Sequence, residues 1–238
     1  MSGTRTGSAA AGSRPGRAGP TDRRVKRGNQ TRRLVLDRTM DVASVEGLEG
    51  LSLGRIASEL TLSKSGVFAL FGSKEELQLA TVRAAVDVYI AHVVRPTREV
   101  APGAERVWAL CRNWLMYSAN RVFRGGCFFY GVSAEFDARD GAVHDAIAKA
   151  SADWVSYVER TLDGARRAGG LAAGTDVPQL GFEIRALMEA SNARSVLLRE
   201  AIAYERAGKG ILDRLRAVAT DPGALPEGPG EIRVPETA

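Results

Sequence analysis

The sequence predicts an all-α protein, and three features of the 238-residue chain predict it. Apolar residues recur at three- and four-residue spacing, and no segment sustains the period-two alternation of a half-buried strand. Serines stand just before short apolar runs at Ser52, Ser63 and Ser73, where a hydroxyl can satisfy the free amides of a helix start. Glycine-bearing joints at Arg124-Gly125-Gly126, Arg139-Asp140-Gly141, 169–175 and Gly208 cut the remainder into helix-length pieces.

Residues 1–27 are rich in Gly, Ser, Ala, Pro and Arg and almost free of large apolar side chains, so they are expected to form a disordered basic arm. Residues 1–33 hold nine Lys/Arg against Asp22 alone, a net of +8 in a chain whose total is +5, which leaves the body mildly acidic. Such an arm implies a polyanion partner at one end of the molecule. The first helix is expected from about Thr31, with Leu34, Leu36, Met40 and Val45, until Gly47 and Gly50 interrupt it. Ser52 caps a short second helix, Leu53–Leu60, and Ser63 a third, Lys64–Phe71. The run Ser73-Lys74-Glu75-Glu76 reads as a capping box that opens a long fourth helix running to about Arg95. Further helices are expected over 104–123, 128–137, 143–168, 178–206 and 210–219, and the four prolines and three glycines of 221–238 suggest a flexible tail. The expected plan is an arm (1–27), a three-helix unit (28–75), a connecting helix (76–97), a helical domain (98–220) and the tail (221–238).

On the third helix, Val67, Leu70 and Phe71 share one face, while Lys64, Ser65, Phe68 and Ala69 share the other. A presented face with one cation, one hydroxyl, one aromatic ring and one methyl suits a groove better than open solvent. Two short helices, the second carrying such a face, make a helix-turn-helix, whose second helix enters the major groove of double-stranded DNA. Lys64 would reach a phosphate or guanine edge, Ser65 and the backbone near Ser63 phosphate oxygens, and Phe68 or Ala69 thymine methyls.

The stretch "LSLGRIASELTLSKSGVFALFGSKEEL" resembles the DNA-binding segment of the TetR family of transcriptional regulators, closely over about Gly28–Ala85 and elsewhere only in helical layout. The residues that carry the resemblance are Ile56-Ala57, Ser63-Lys64 and Phe71-x-Ser73-Lys74-Glu75-Glu76-Leu77. It implies a homodimer, an operator of two inverted half-sites, and a C-terminal domain that both dimerises and binds a small-molecule effector, the regulator being a repressor rather than an enzyme. DNA contacts are then expected from Arg27, Arg32, Arg55, Ser63, Lys64, Ser65, Gly66, Phe68, Ala69 and Lys74. Thr61 stands where the family's turn usually has glycine, so a left-handed backbone there would strain a β-branched residue. Phe68, Ala69 and Leu70 replace the frequent tyrosine, histidine and tyrosine of the family.

The C-terminal half gathers all three tryptophans and most other aromatics within about fifty residues, as an apolar pocket would. Trp108, Trp114, Tyr117, Phe128, Phe129, Tyr130, Trp154 and Tyr157, with Met188 and Asn192, are the expected effector residues, and an apolar or aromatic molecule is the expected effector. Leu180, Ile184, Leu187, Ser191, Ser195, Leu198, Leu212 and Leu215 are expected at the dimer interface. Cys111 and Cys127 read as buried thiols, and neither they nor His92 and His144 have metal-ligand or catalytic spacing, so no metal and no cofactor are expected. No window reads as the ~20 apolar residues of a membrane span, and a soluble cytoplasmic protein is expected. Two other functions remain open at this point: a non-specific architectural DNA binder using the arm, and a thiol enzyme built on the helical domain.

Overall fold

The computed structural model describes residues 20–234. The chain separates into two compact units, residues 1–34 and 35–238. The described part of the first unit is the opening stretch of helix α1 (Pro20–Glu46). The helix therefore begins inside the expected disordered arm: proline is tolerated at a first helical position, and the Arg, Lys and Gln that follow are good helix formers. Residues 1–19, the rest of that arm, lie outside the described residues.

In the second unit α2 (Leu53–Glu59), α3 (Lys64–Phe71) and α4 (Lys74–Tyr89) follow in order. Their starts are the predicted serine caps: Ser52, Ser63 and Ser73 accept from the amides of Arg55, Gly66 and Glu76. Among the described residues the serine half of the capping box forms, and the Glu76 carboxylate lies 4.0 Å from Arg83. Ile56, Ala57, Val67, Phe71 and Leu77 make the small core of this three-helix region.

The fourth helix does not stop at Arg95. It passes through a π segment (Ile90–Val94) into α5 (Arg95–Arg98). Pro96 explains the π turn, because its ring cannot donate to, and crowds, the carbonyl four residues back; the Arg95 amide reaches Ile90 O instead. Thr97 Oγ1 then donates to Val93 O (2.7 Å), and Asn113 Nδ2 donates to Thr97 Oγ1 (3.1 Å). By length and composition Lys74–Arg98 is apolar enough to cross a membrane, contrary to the expectation from sequence. Half of that stretch is buried against the rest of the fold, the signature of a core helix.

The remaining helices are α6 (Ala104–Ala119), α7 (Phe128–Phe136), α8 (Ala142–Arg167), α9 (Val177–Leu197) and α10 (Ala203–Val218). α10 packs along α9 and α6, and α8 packs against α4, α6, α7 and α9. The single helix expected over 178–206 is in fact two. The break carries Arg199 in the left-handed region (φ 55°), and Glu200 receives both Arg194 and Arg206 across it. Gly208, expected to be a joint, is instead inside α10, where a side chain would strike Pro229 Cβ at 2.6 Å. That close approach also corrects the flexible tail: through residue 234 the chain packs back on the helices, burying Leu225 and Ile232.

Candidate nucleic-acid interface and ligand site

The third helix divides as its sequence predicts. Val67 and Phe71 are buried, Leu70 is half-buried against the core, and Lys64, Ser65, Gly66, Phe68 and Ala69 are exposed. Phe68, at 55% exposure, is an aromatic ring kept out of the core. The Lys64 stem crosses α2, where a side chain at Gly54 would meet its Cε at 3.7 Å, and its ammonium makes no ion pair among the described residues. Ser63 spends its hydroxyl on its own helix, accepting from Gly66 N at 3.0 Å. The turn before α3 holds Thr61 at φ 55°, the strained conformation foreseen from the missing glycine.

Two expected DNA contacts have other employment. Arg55 grips Glu46 with both terminal nitrogens and gives Nε to Glu59 Oε1 (2.8 Å), while Arg38 Nε reaches Glu59 Oε2 (2.6 Å). Lys74 Nζ donates to Glu49 O (2.7 Å) and pairs with Glu49 Oε2 (3.0 Å). These hydrogen bonds hold the Glu46, Glu49 and Glu59 carboxyls below their usual range, the largest cause being Arg55, Lys74 and Arg38 respectively. Arg55 and Lys74 tie the unit together rather than offering a free charge. In the first unit, Arg27 is exposed and Arg32 half-buried.

The C-terminal aromatics do meet, around a residue that the sequence pattern alone did not single out. Tyr89 of α4 stands edge-on to Tyr117, Phe129 and Trp154, with ring centroids at 5.3, 6.0 and 5.1 Å. Phe123 links Tyr117 to Phe128, and Tyr157 stacks on Trp154. A signal for Tyr89 does exist: Leu77, Thr81, Ala85, Tyr89 and Val93 form a buried stripe at i, i+4 spacing. The hydroxyls of Tyr89 and Tyr117 are buried with no well-formed hydrogen bond among the described residues, Tyr117 lying near Cys127 and the Phe128 backbone, and burial pushes both phenols well above their usual range. Unspent buried donors of this kind cost stability. Trp108 and Trp114 are buried but join no ring contact of this cluster among the described residues, and Tyr130, 41% exposed, lies on the outer side of α7. Met188 is core, and Asn192 Oδ1 accepts from Ser118 Oγ and Cys127 N, both at 2.9 Å. Cys111 and Cys127 are free and buried; burial raises both thiols, Cys127 to about 11.

The start of α7 belongs to the aromatic cluster, and its end holds the helix-turn-helix. Glu135 accepts from Leu48 N (2.7 Å) and Glu49 N (2.8 Å), the turn between α1 and α2. That turn needs Gly47 at φ 80°, where a Cβ would lie 2.6 Å from the Glu135 carboxylate. Just before α7, Arg124 Nε spans both oxygens of Asp41 (2.8 and 2.9 Å), and Gly125 lies so close to α1 that a Cβ would sit 1.7 Å from Ser44 O. These contacts join the three-helix region to the C-terminal helices within the unit 35–238.

Most of the expected dimer residues point inward. Leu180, Ile184, Ser191, Ser195, Leu212 and Leu215 are buried within the chain because α9 and α10 pack on each other and on α6. Leu187 is half-buried against Gly210, and Leu198 stays exposed. The outward stripe of α9 is a different one: Phe182, Ala186, Ala190, Ala193 and Leu197, with Phe182 61% and Leu197 81% exposed.

The fold and the presented face of α3 define a helix-turn-helix transcriptional regulator. The family described as "Bacterial regulatory proteins, tetR family" matches residues 35–81, and "Tetracyclin repressor-like, C-terminal domain" matches residues 103–211. The chain belongs to the TetR family. No curated protein matches it. Among solved structures, a TetR transcriptional regulator from Chloroflexus aurantiacus shares 20% identity, covering 82% of this chain and 98% of its own, with a TM-score of 0.73. A TetR-family regulator from Streptomyces coelicolor shares 21% identity over 86% and 97% of the two chains, with a TM-score of 0.70. AibR, solved in complex with isovaleryl coenzyme A and operator DNA, shares 18% identity over 69% and 85%, with a TM-score of 0.56.

Proposed function

We propose that this protein is a cytoplasmic repressor that binds a palindromic operator as a homodimer and leaves it when a small, apolar or aromatic effector enters the C-terminal helices. The observation that carries the reading is the outer face of α3, where Lys64, Ser65, Phe68 and Ala69 stand exposed on a helix whose other face is core. Lys64 reaches DNA with an unspent charge, and the basic residues of 1–34, Arg27 and Arg32 among them, add sequence-independent attraction to phosphate. The homodimer joins through the outward stripe of α9, whose three alanines let two copies approach while Phe182 and Leu197 supply apolar area at the ends.

The aromatic cluster around Tyr89 is where the effector enters. Displacing Phe128 and Phe129 moves the start of α7, and α7 carries Glu135 away from the Leu48 and Glu49 amides, so the α3 faces of the dimer no longer match their half-sites. A fold relative solved with both an acyl coenzyme A and operator DNA supports this pairing of ligand and DNA. The thiol-enzyme reading loses ground because a buried thiol raised to about 11 is not a nucleophile at neutral pH.

Selection from random DNA is expected to return inverted half-sites, and Lys64→Ala to weaken the selected operator by about 1–3 kcal/mol without changing thermal unfolding. Loss of affinity that is uniform across sequences would favour the architectural reading. Ala190→Glu is expected to give monomers in light scattering and to abolish operator binding with them; an intact dimer would rule out the α9 stripe.

A further inference from the structure

We propose that the effector carries a carboxylate, and that Arg121 receives it. This rests on the effector reading above and adds the ligand's chemical class. Arg121 follows the end of α6 in the left-handed region (φ 51°), a conformation that a non-glycine residue keeps only when its surroundings hold it there. They do: Nη1 donates to Ser118 O (3.0 Å) and Tyr204 Oη (2.9 Å), and Nη2 donates to Ser195 Oγ (2.8 Å). Ser118, Tyr204 and Ser195 are all buried, and the guanidinium lies 5.9 Å from the Tyr204 ring centre. Every one of these partners is neutral, and Arg121 has no carboxylate within ion-pair distance among the described residues. Arg124, three residues on, shows the contrast by pairing with Asp41.

A guanidinium has five N–H donors. Three hydrogen bonds therefore leave Nε–H and one Nη2–H unclaimed. The polar network continues from Arg121 through Tyr204 Oη to Ser118 Oγ (2.8 Å), and from there to Asn192 and the Cys127 amide. Tyr117, whose hydroxyl has no close hydrogen-bond partner among the described residues, precedes Ser118 in α6, and Tyr89 is edge-on to it. The groups left unspent at half-buried Arg121 and in the ring cluster are all of one kind: two phenol O–H groups, which can donate, and two guanidinium N–H groups, which can only donate. A carboxylate is acceptor-only and offers about four lone-pair sites, so it answers all of them, whereas an amine or quaternary ammonium answers none of the guanidinium donors. One cation suits one monoanion. The edge-to-face rings of Tyr89, Phe129 and Trp154 give the acid's apolar body its walls.

The test uses the full-length protein and matched probe pairs, 3-phenylpropionate with 3-phenylpropionamide and octanoate with octanamide, followed by calorimetry and tryptophan fluorescence in the absence of DNA. Each acid is expected to bind about ten- to a hundredfold more tightly than its amide, and Arg121→Gln is expected to erase that preference. Arg121→Lys keeps the charge and is expected to retain part of it, which decides the matter if the glutamine variant does not fold; Tyr117→Phe is expected to weaken the acids alone. Equal binding of acid and amide, or a preference that survives Arg121→Gln, overturns the carboxylate and leaves the effector reading standing. Failure of every probe to bind overturns the effector reading at this site as well.

Discussion

The helix-turn-helix and the aromatic cluster are finished to different degrees. In residues 35–81 most cations are already matched: Arg38, Arg55 and Lys74 hold Glu59, Glu46 and Glu49, and the charge left over belongs to Lys64 on the outside of α3. In the C-terminal helices two phenol hydroxyls are unspent inside, and the half-buried Arg121 keeps part of its guanidinium free of protein partners among the described residues. The first region can meet a large, preformed partner without rearranging. The second carries the cost of unsatisfied donors in its own interior, and a ligand that satisfies them shifts the ensemble toward whatever shape admits it.

The largest effect should come from the joint between the two. Gly125→Ala would place a methyl on Ser44 O and is expected to cost about 3–5 kcal/mol in urea unfolding, with operator binding falling alongside. A neutral result would mean that the α6–α7 loop is not seated on α1. Next, Tyr89→Phe removes an unpaired buried donor and is expected to raise stability by about 1 kcal/mol while blunting the response to effector. Lower stability would show that the hydroxyl has a partner and that the interior is complete. Smaller again is Thr61→Gly, which relieves the left-handed turn at some cost in unfolded-chain entropy, for a net gain of roughly 0.5–1 kcal/mol in thermal unfolding.

The smallest effect separates the two regions by pH. Glu46, Glu49 and Glu59 have folded pKa values below their ordinary 4.5, so the stability they lend is fully present above that pH and is lost as the pH falls through the lowered values. Because these pairs are exposed, the loss is modest and salt reproduces part of it. Hydrogen exchange is expected to rise first in residues 46–61 on acidification. Opening that begins at Tyr89 and Tyr117 would reverse the comparison.

Local chemistry made much of this protein legible in its sequence. Serine caps, glycine stops and 3.6-residue periodicity act over a few neighbours, so α2 and α3, the two faces of α3 and the strain at Thr61 follow from the order of residues alone. Contacts between residues far apart in the chain do not. Whether Arg55 faces DNA or Glu46, whether Ile184 faces a partner or the chain's own core, and whether the prolines of the tail float or seat on Gly208 depend on which surfaces the helices turn toward one another. The same holds for Tyr89, Arg121 and Glu135, whose types are unremarkable in sequence and whose roles arise only where distant helices and turns converge. Propensity and capping are set within a turn of helix, whereas the spending of a charge or a hydroxyl is decided by neighbours that only tertiary packing supplies.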